Sequence, residues 1–188
     1  MVRQKGADYF NPDEVARLLR EKKPSLSETE ANAEAWVQGK RLLERAIAES
    51  SDYVFETTLG GKTIANLLEH AAKSGLEVCI WYAGLSSPEL HIARVKARVA
   101  QGGHDIPEAD IRKRYDGGRK NLIRLMPFLT ELRVYDNSAE ADFATGKAPT
   151  PVLVLHVENG RVIGPADLTN TPEWAKSIVV SALKFARA

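Results

Sequence analysis

Short apolar runs alternate with helical patterns along most of this chain, and this alternation limits the folds that it can adopt. Four runs have the length of a strand, at 8–10, 53–56, 77–83 and 131–135. Strands that alternate with helices usually pair in parallel, because each helix returns the chain to the same end of the sheet. The run at 77–83 is almost continuously apolar, as expected for a strand covered on both faces. The sequence therefore predicts an α/β fold in which helices flank a parallel sheet.

Capping signals mark the starts of two predicted helices near the N-terminus. Asn11 has Glu14 three residues after it, and Ser27 has Glu30 three residues after it. Both pairs have the spacing of a capping box, in which side chains satisfy backbone amides at a helix N-terminus. The helix after Ser27 should run to about residue 50. Its predicted buried face consists of Ala35, Trp36, Gly39, Leu42, Leu43, Ala46 and Ile47.

The last fifty residues have a different pattern. Residues 139–150 are small and polar and predict a linker, and Asn159-Gly160 between two apolar runs is a strong hairpin signal. A final helix is predicted with Thr171 as its N-cap. We therefore predict a domain over 1–138 and an appendage of hairpin and helix over 139–188.

The composition excludes several classes of function. The chain has a net charge of +1, with 44% hydrophobic and 27% charged residues, which is typical of a soluble globular protein. No apolar stretch approaches the roughly 20 residues that span a bilayer, so no membrane partner is expected. The single cysteine, Cys79, is unable to form an internal disulfide and suits a reducing cytoplasm. We expect a cytoplasmic protein.

The segment 53–63 ends like a phosphate-binding loop but lacks one required glycine. Gly61-Lys62-Thr63 matches the end of Gly-x-x-x-x-Gly-Lys-Ser/Thr, yet the position of the first glycine is Glu56. Backbone amides must curl around phosphate there, and a carboxylate would repel it. No other segment matches this motif. Glu56 is therefore a candidate for a different task.

Two acidic residues follow strands that are predicted to be parallel. Asp13 lies just beyond the first strand, and Glu56 ends the second. Parallel strands end at one edge of the sheet, so both carboxylates should face one crevice. Asp13 is then a candidate general base that takes a proton from a substrate hydroxyl during phosphoryl transfer. The structural alternative for both is an acid stabilised by the N-terminus of the following helix.

Basic residues are concentrated between positions 94 and 124, where nine lysines or arginines accompany four acids. Arg94 and Arg98 are four residues apart and share a helix face. One interpretation is a lid of two basic helices hinged at Gly102-Gly103, whose guanidinium groups bind a triphosphate. The alternative is a solvated pair of basic helices. Nucleic acid is disfavoured as a partner, because the stretch holds few aromatic residues and several acids.

The chain resembles the zeta toxin family of P-loop kinases over about residues 7–138. Five motifs occur in the family's order, namely Asn11-Pro-Asp-Glu-Val-Ala16, Phe55-Glu-Thr-Thr-Leu-Gly60, Ser87-Pro-Glu-Leu90, Gly102-Gly-His-Asp-Ile-Pro107 and Tyr135-Asp-Asn-Ser138. The resemblance implies a P-loop-kinase-like fold and phosphoryl transfer from ATP, with Mg²⁺, to a small-molecule hydroxyl. The known substrate of the toxins is UDP-N-acetylglucosamine, so a UDP-sugar is the implied substrate and an antitoxin an implied partner.

The resemblance also assigns roles to single residues of the acidic region. Asp13 matches the catalytic base, and Glu56 and Thr58 match residues that hold the sugar nucleotide. The founding toxins carry a basic residue shortly after the substrate threonine, where this chain has Gly60. That difference leaves the substrate open.

Arginines in the basic stretch match the phosphate-binding groups of the family. Arg98 matches the first of them. Arg114 matches the second, with Arg112 as the alternative because the lid differs in length from that of the toxins.

Family members begin with a strand, a Walker A loop and a helix, and this chain as written starts after them. The loop holds the triphosphate in line, so transfer should be impaired without it. The family's first strand lies in the middle of the sheet, so its absence should leave strand edges unpaired. A start placed too far downstream, a degenerate remnant, and a non-catalytic module that keeps the substrate crevice or self-associates are the alternatives.

Overall fold

The computed structural model of the protein describes residues 8–139 and 150–186. The chain divides after Thr58 into two compact units, which we call unit 1 and unit 2. The predicted linker over 139–150, which begins at the domain boundary expected after residue 138, lies almost entirely outside the described residues.

Unit 1 contains a short parallel sheet and two helices. In the sheet, Asp8 aligns with Tyr53 and Phe10 aligns with Phe55, so the two strands run in the same direction as predicted. The elements are β1 (Asp8–Phe10), α1 (Pro12–Lys22), α2 (Glu28–Glu49) and β2 (Tyr53–Phe55).

The predicted helix starts in unit 1 are confirmed. The Asn11 side chain accepts hydrogen bonds at the start of α1, although the described residues show no return bond from Glu14 that would complete a capping box there. Ser27 and Glu30 form a complete capping box at the start of α2. These bonds satisfy backbone amides that have no partner within the helix.

The two helices of unit 1 pack through small side chains, and the predicted buried face of α2 is wrong at one position. Ala16 of α1 and Ala31 and Ala35 of α2 form a buried cluster. Trp36 is 47% exposed. Successive residues of an α-helix differ by about 100° around its axis, so the residue after Ala35 is turned away from α1.

Unit 2 contains a four-stranded mixed sheet with the strand order β3-β4-β5-β6. The β3–β4 pair is parallel, whereas β4–β5 and β5–β6 are antiparallel. The elements are α3 (Lys62–Lys73), β3 (Cys79–Gly84), α4 (Pro88–Ala100), α5 (Glu108–Leu125), β4 (Glu131–Asp136), β5 (Val152–Glu158), β6 (Arg161–Gly164) and α6 (Lys176–Phe185), with 3₁₀ turns at Met126–Phe128 and Glu173–Ala175.

The α/β class predicted from the sequence is confirmed, with two changes in the sheet. The described strands form two sheets, one in each unit, and the larger sheet is mixed because the C-terminal hairpin pairs with β4. The hairpin turn itself is confirmed, since Asn159 and Gly160 both have positive φ, 46° and 74°. Positive φ at both central residues is what a tight hairpin turn requires.

The prediction that the 77–83 strand is covered on both faces is wrong. Trp81 is 50% exposed, while Gly84 of the same strand is buried. Side chains alternate between the faces of a strand, so one face of β3 is packed and the other is open. Tyr82 and Gly84 contact Trp174 on the packed face. A continuous apolar run favours a strand but does not report how many of its faces are covered.

The start of the last helix also differs from the prediction. The α6 helix begins at Lys176, after a 3₁₀ turn. The Thr171 hydroxyl donates to the carbonyl oxygen of Leu168 at 2.6 Å instead of capping α6. Throughout 8–139 and 150–186, no helix is both long and apolar enough to cross a membrane.

Candidate functional site

Asn11 connects the two predicted acidic residues of unit 1. Its Oδ1 accepts hydrogen bonds from the backbone N–H of Asp13 at 2.9 Å and of Glu14 at 3.2 Å. Its Nδ2 donates to Oε2 of Glu56 at 3.0 Å. A single amide therefore links the first turn of α1 to the carboxylate that follows β2. The two strands that precede Asp13 and Glu56 are parallel, as predicted.

Tyr9 completes the hydrogen bonding of Glu56. Its hydroxyl donates to Oε1, so both carboxylate oxygens have a donor. The hydrogen bond to Glu56 raises the pKa of Tyr9, and burial and the charge of Glu56 raise it further. Asp13, Glu56 and Thr58 are all exposed, so a ligand can reach them. Sequence reasoning missed Tyr9, although its place in β1 beside β2 was a signal.

A cavity of about 240 Å³ lies in unit 1, and none of the predicted site residues lines it. Tyr9 and Tyr53 are part of its wall, together with Arg45 and Asp52. Burial raises the pKa of Tyr53 to about 12, so this hydroxyl stays protonated. Tyr9 therefore contacts both Glu56 and this cavity, although Glu56 itself does not line the cavity.

Three arginines of unit 2 lie near one histidine. His91, Arg94 and Arg98 follow one another on α4 at spacings of three and four residues, which places them on one face of the helix. Burial lowers the pKa of His91, and the positive charges of Arg98, Arg114 and Arg94 lower it further. The predicted Arg98 and Arg114 therefore both act on the same histidine ring. The helical spacing to Arg94 could have identified His91, which sequence reasoning did not assign.

The described residues place no acid in ion-pair distance of this arginine group. Arg94 donates to the carbonyl oxygen of Ala139 at 2.8 Å, and Arg98 donates to that of His104 at 3.3 Å. A carbonyl group satisfies an N–H donor without neutralising its charge. Within 8–139 and 150–186, Arg94, Arg98 and Arg114 form no salt bridge, so their charge is available to an anionic ligand.

Arg112, the alternative to Arg114, is engaged differently. Its Nη1 lies 2.6 Å from Oε1 of Glu89, and this hydrogen bond raises the pKa of Arg112. The ion pair is exposed and contributes little to stability. It does offset the charge of Arg112, which makes Arg114 the better candidate for a phosphate ligand.

Tight packing of the 59–61 loop on α5 fixes the backbone at Arg114. A Cβ on Gly60 would lie 3.0 Å from Cα of Arg114, and a Cβ on Gly117 would lie 2.4 Å from the carbonyl oxygen of Gly60. Asn121 holds the loop by donating to the carbonyl oxygens of Leu59 at 2.7 Å and Gly61 at 3.1 Å. A side chain at position 60 would therefore press against α5 at Arg114.

Replacing Gly117 with Ala should lower the free energy of unfolding by about 1 to 2 kcal/mol. Alanine in a helix interior would by itself stabilise by roughly 1 kcal/mol. The contact with the Gly60 carbonyl outweighs this gain, because a backbone atom held by Asn121 has little freedom to move. Urea unfolding measures the effect, with the exposed Lys120→Ala on the same helix as control. A Gly117→Ala protein more stable than the wild type would show that the loop does not pack there.

The described residues contain no cluster of the usual metal-binding side chains. No three His, Cys, Asp or Glu side chains within 8–139 and 150–186 are grouped so that they could hold a metal ion. The arginine group does fit an anion, since planar guanidinium groups bind phosphoryl oxygens in pairs.

Comparison with known proteins finds one informative relative. No family model matches the chain, and no solved structure matches it. An uncharacterised protein of Haemophilus influenzae is 32% identical over 106 residues, which cover 56% of this chain and 73% of that protein. The chain therefore belongs to the same family as this Haemophilus influenzae protein.

Proposed function

We propose that this protein binds a hydroxyl-bearing small molecule, of the class of UDP-sugars, for phosphoryl transfer from ATP. One observation carries the proposal: Asn11 ties the start of α1, with Asp13, to the carboxylate of Glu56 at the ends of two parallel strands. Ligands of open α/β sheets bind at this edge. The site offers one carboxylate with a protein donor on each oxygen, Glu56, and an exposed carboxylate in the first turn of α1, Asp13.

The two carboxylates support different roles. Glu56 is held by Tyr9 and Asn11, so its orientation is fixed and it suits a hydrogen bond to a substrate hydroxyl. Asp13 donates its backbone N–H to Asn11, and within 8–139 and 150–186 its carboxylate has no hydrogen-bond donor, so the carboxylate is available to accept a proton. Thr58, at the end of the same segment as Glu56, supplies a further hydroxyl.

The arginine group of unit 2 supports the binding of phosphoryl groups. Arg98 and Arg114 carry charge that no described acid offsets, and Arg94 adds a third guanidinium. Such groups bind anionic oxygens by charge-assisted hydrogen bonds and stabilise the charge that develops in phosphoryl transfer.

The resemblance to zeta toxins supports a P-loop-kinase-like fold and UDP-N-acetylglucosamine as the substrate to test first. The parallel pairs β1–β2 and β3–β4 are compatible with that fold.

A second candidate function is binding without transfer. The 188 residues contain no Gly-x-x-x-x-Gly-Lys-Ser/Thr segment, which positions the triphosphate in P-loop enzymes. A module of this kind would bind the sugar nucleotide and present it to, or withhold it from, a protein partner such as an antitoxin or a second copy of the chain.

Replacing Glu56 with Gln should weaken the binding of UDP-N-acetylglucosamine by about tenfold or more, because a hydrogen bond to a charged group contributes about 1.5 to 3 kcal/mol. Isothermal titration calorimetry without ATP measures this for both candidate functions. Glu21→Gln is the matched control, since Glu21 is an exposed acid of unit 1 that pairs only with Arg17 among the described residues. Equal affinities of the wild type and Glu56→Gln would overturn the assignment of the acceptor site.

A further inference from the structure

His91 occupies a position that the phosphate-binding role of the arginines does not explain. It lies on the same face of α4 as Arg94 and Arg98, and it is half-buried. We call His91, Arg94, Arg98 and Arg114 the basic cluster.

Arg114 of α5 lies close enough for its charge to act on the ring. Ile92 and Val95 of α4 and Ile111 of α5 form one buried cluster between the two helices. Arg114 follows Ile111 by three residues, at the edge of this contact, and its positive charge acts on His91. The cluster is thus built from two helices that are fixed to each other by a hydrophobic contact.

The charged groups that act on His91 all have the same sign. They are Arg98, Arg114 and Arg94, and no carboxylate of the described residues offsets them at the ring. Burial and these charges together lower the pKa of His91, so the ring is neutral near pH 7 when no anion is bound. A neutral imidazole offers one N–H donor, whereas an imidazolium offers two.

We propose that the basic cluster binds a dianionic group and that His91 takes up a proton from solvent as the dianion binds, becoming a fourth cationic donor to it. The dianion offsets the charge of the arginines, which removes the main electrostatic obstacle to an imidazolium and adds an attractive partner. The inference rests on the proposed phosphate-binding role of Arg98 and Arg114, and it extends that role to a proton-linked site.

The direction of the pH dependence follows from linkage. Dianion binding raises the pKa of His91. The affinity for the dianion therefore increases as the pH falls below the pKa that His91 has in the complex. The gain is lost as the pH rises through that value. A rise of about one pKa unit corresponds to about a tenfold difference in affinity between the acidic and alkaline limits.

Sulfate is a suitable probe, because it stays dianionic between about pH 5.5 and pH 8, the range in which histidine titrates. NMR titration of the histidine rings of the wild-type chain gives each pKa with and without sulfate. The His91 signal is assigned by its loss in His91→Gln. We expect the pKa of His91 to rise by about one unit or more in saturating sulfate, and sulfate to bind about tenfold more tightly at the acidic end.

Two variants separate the inference from the function on which it rests. His91→Gln should bind sulfate with little dependence on pH, whereas His104→Gln should behave as the wild type, because His104 contacts Arg98 through its backbone carbonyl. An unchanged pKa of His91 on sulfate binding overturns the proton-linked role and leaves the arginine site standing. Unchanged sulfate affinity in a protein with both Arg98→Gln and Arg114→Gln overturns the phosphate-binding role itself.

Discussion

Phosphoryl transfer from ATP to UDP-N-acetylglucosamine should fall by at least about 100-fold when Asp13 is replaced with Asn, because a positioned general base contributes roughly 10²- to 10⁴-fold. Asparagine has nearly the same size and leaves the backbone N–H of residue 13 on Asn11 Oδ1. It does not accept a proton from the substrate hydroxyl. Affinity for the sugar nucleotide should therefore change by less than about twofold, so that the loss is in turnover and not in binding.

Glu14→Gln is the matched control for this experiment. Glu14 is the next acid along the first turn of α1, and its N–H also donates to Asn11 Oδ1, at 3.2 Å. Transfer measured with labelled ATP should be unchanged in this variant. Equal losses of transfer activity in Asp13→Asn and Glu14→Gln would show that transfer depends on negative charge at the start of α1 and that Asp13 does not act as a general base. Wild-type protein that binds the sugar nucleotide and forms no product would favour the binding module.

Features that depend on neighbouring residues in the chain were predictable from the sequence. The caps at Asn11 and Ser27 and the turn at Asn159-Gly160 are local interactions between a side chain and the adjacent backbone, or local limits on φ. Their physical basis spans four residues or fewer, so the sequence contains all of it. The parallel pairing of the first two strands followed from the helices between them.

Features that depend on distant contacts were not predictable in this way. The exposure of Trp36 and Trp81 depends on which face of an element meets another element, and hydrophobicity alone does not report it. The hydrogen bond from Tyr9 to Glu56 joins residues 47 positions apart. Such contacts depend on how whole helices and strands pack together, and the pattern of a single sequence does not predict that packing.

The candidate site shows the same division. The sequence placed Asp13 and Glu56 at one edge because strand direction follows from topology. It did not find His91, because the role of that ring arises from arginines on two helices. Nor did it explain Gly60, whose backbone packs closely against α5.

The C-terminal region predicted as an appendage packs directly on the sheet through Trp174. This side chain is 5% exposed, and its Nε1 donates to Oδ1 of Asp136 at 3.2 Å. Its ring lies 6.3 Å from that of Tyr82, measured between centroids. The end of β3 reaches the ring so closely that Gly84 has no room for a side chain.

Gly84→Ala should therefore lower the free energy of unfolding by about 3 kcal/mol, the upper part of the range for overpacking a buried site. The added Cβ would lie 2.1 Å from Cη2 and 2.3 Å from Cζ3 of Trp174, and the ring is held by its bond to Asp136. Urea unfolding followed by circular dichroism measures the change. Gly164→Ala is the matched control, because Gly164 ends β6 and a Cβ there meets nothing within 4 Å. A smaller residue at position 174 should relieve the clash. Trp174→Leu and Gly84→Ala together should therefore lower the free energy of unfolding by less than the sum of the two single changes. Strict additivity would mean that the two residues do not touch, and the C-terminal region would then be an appendage after all.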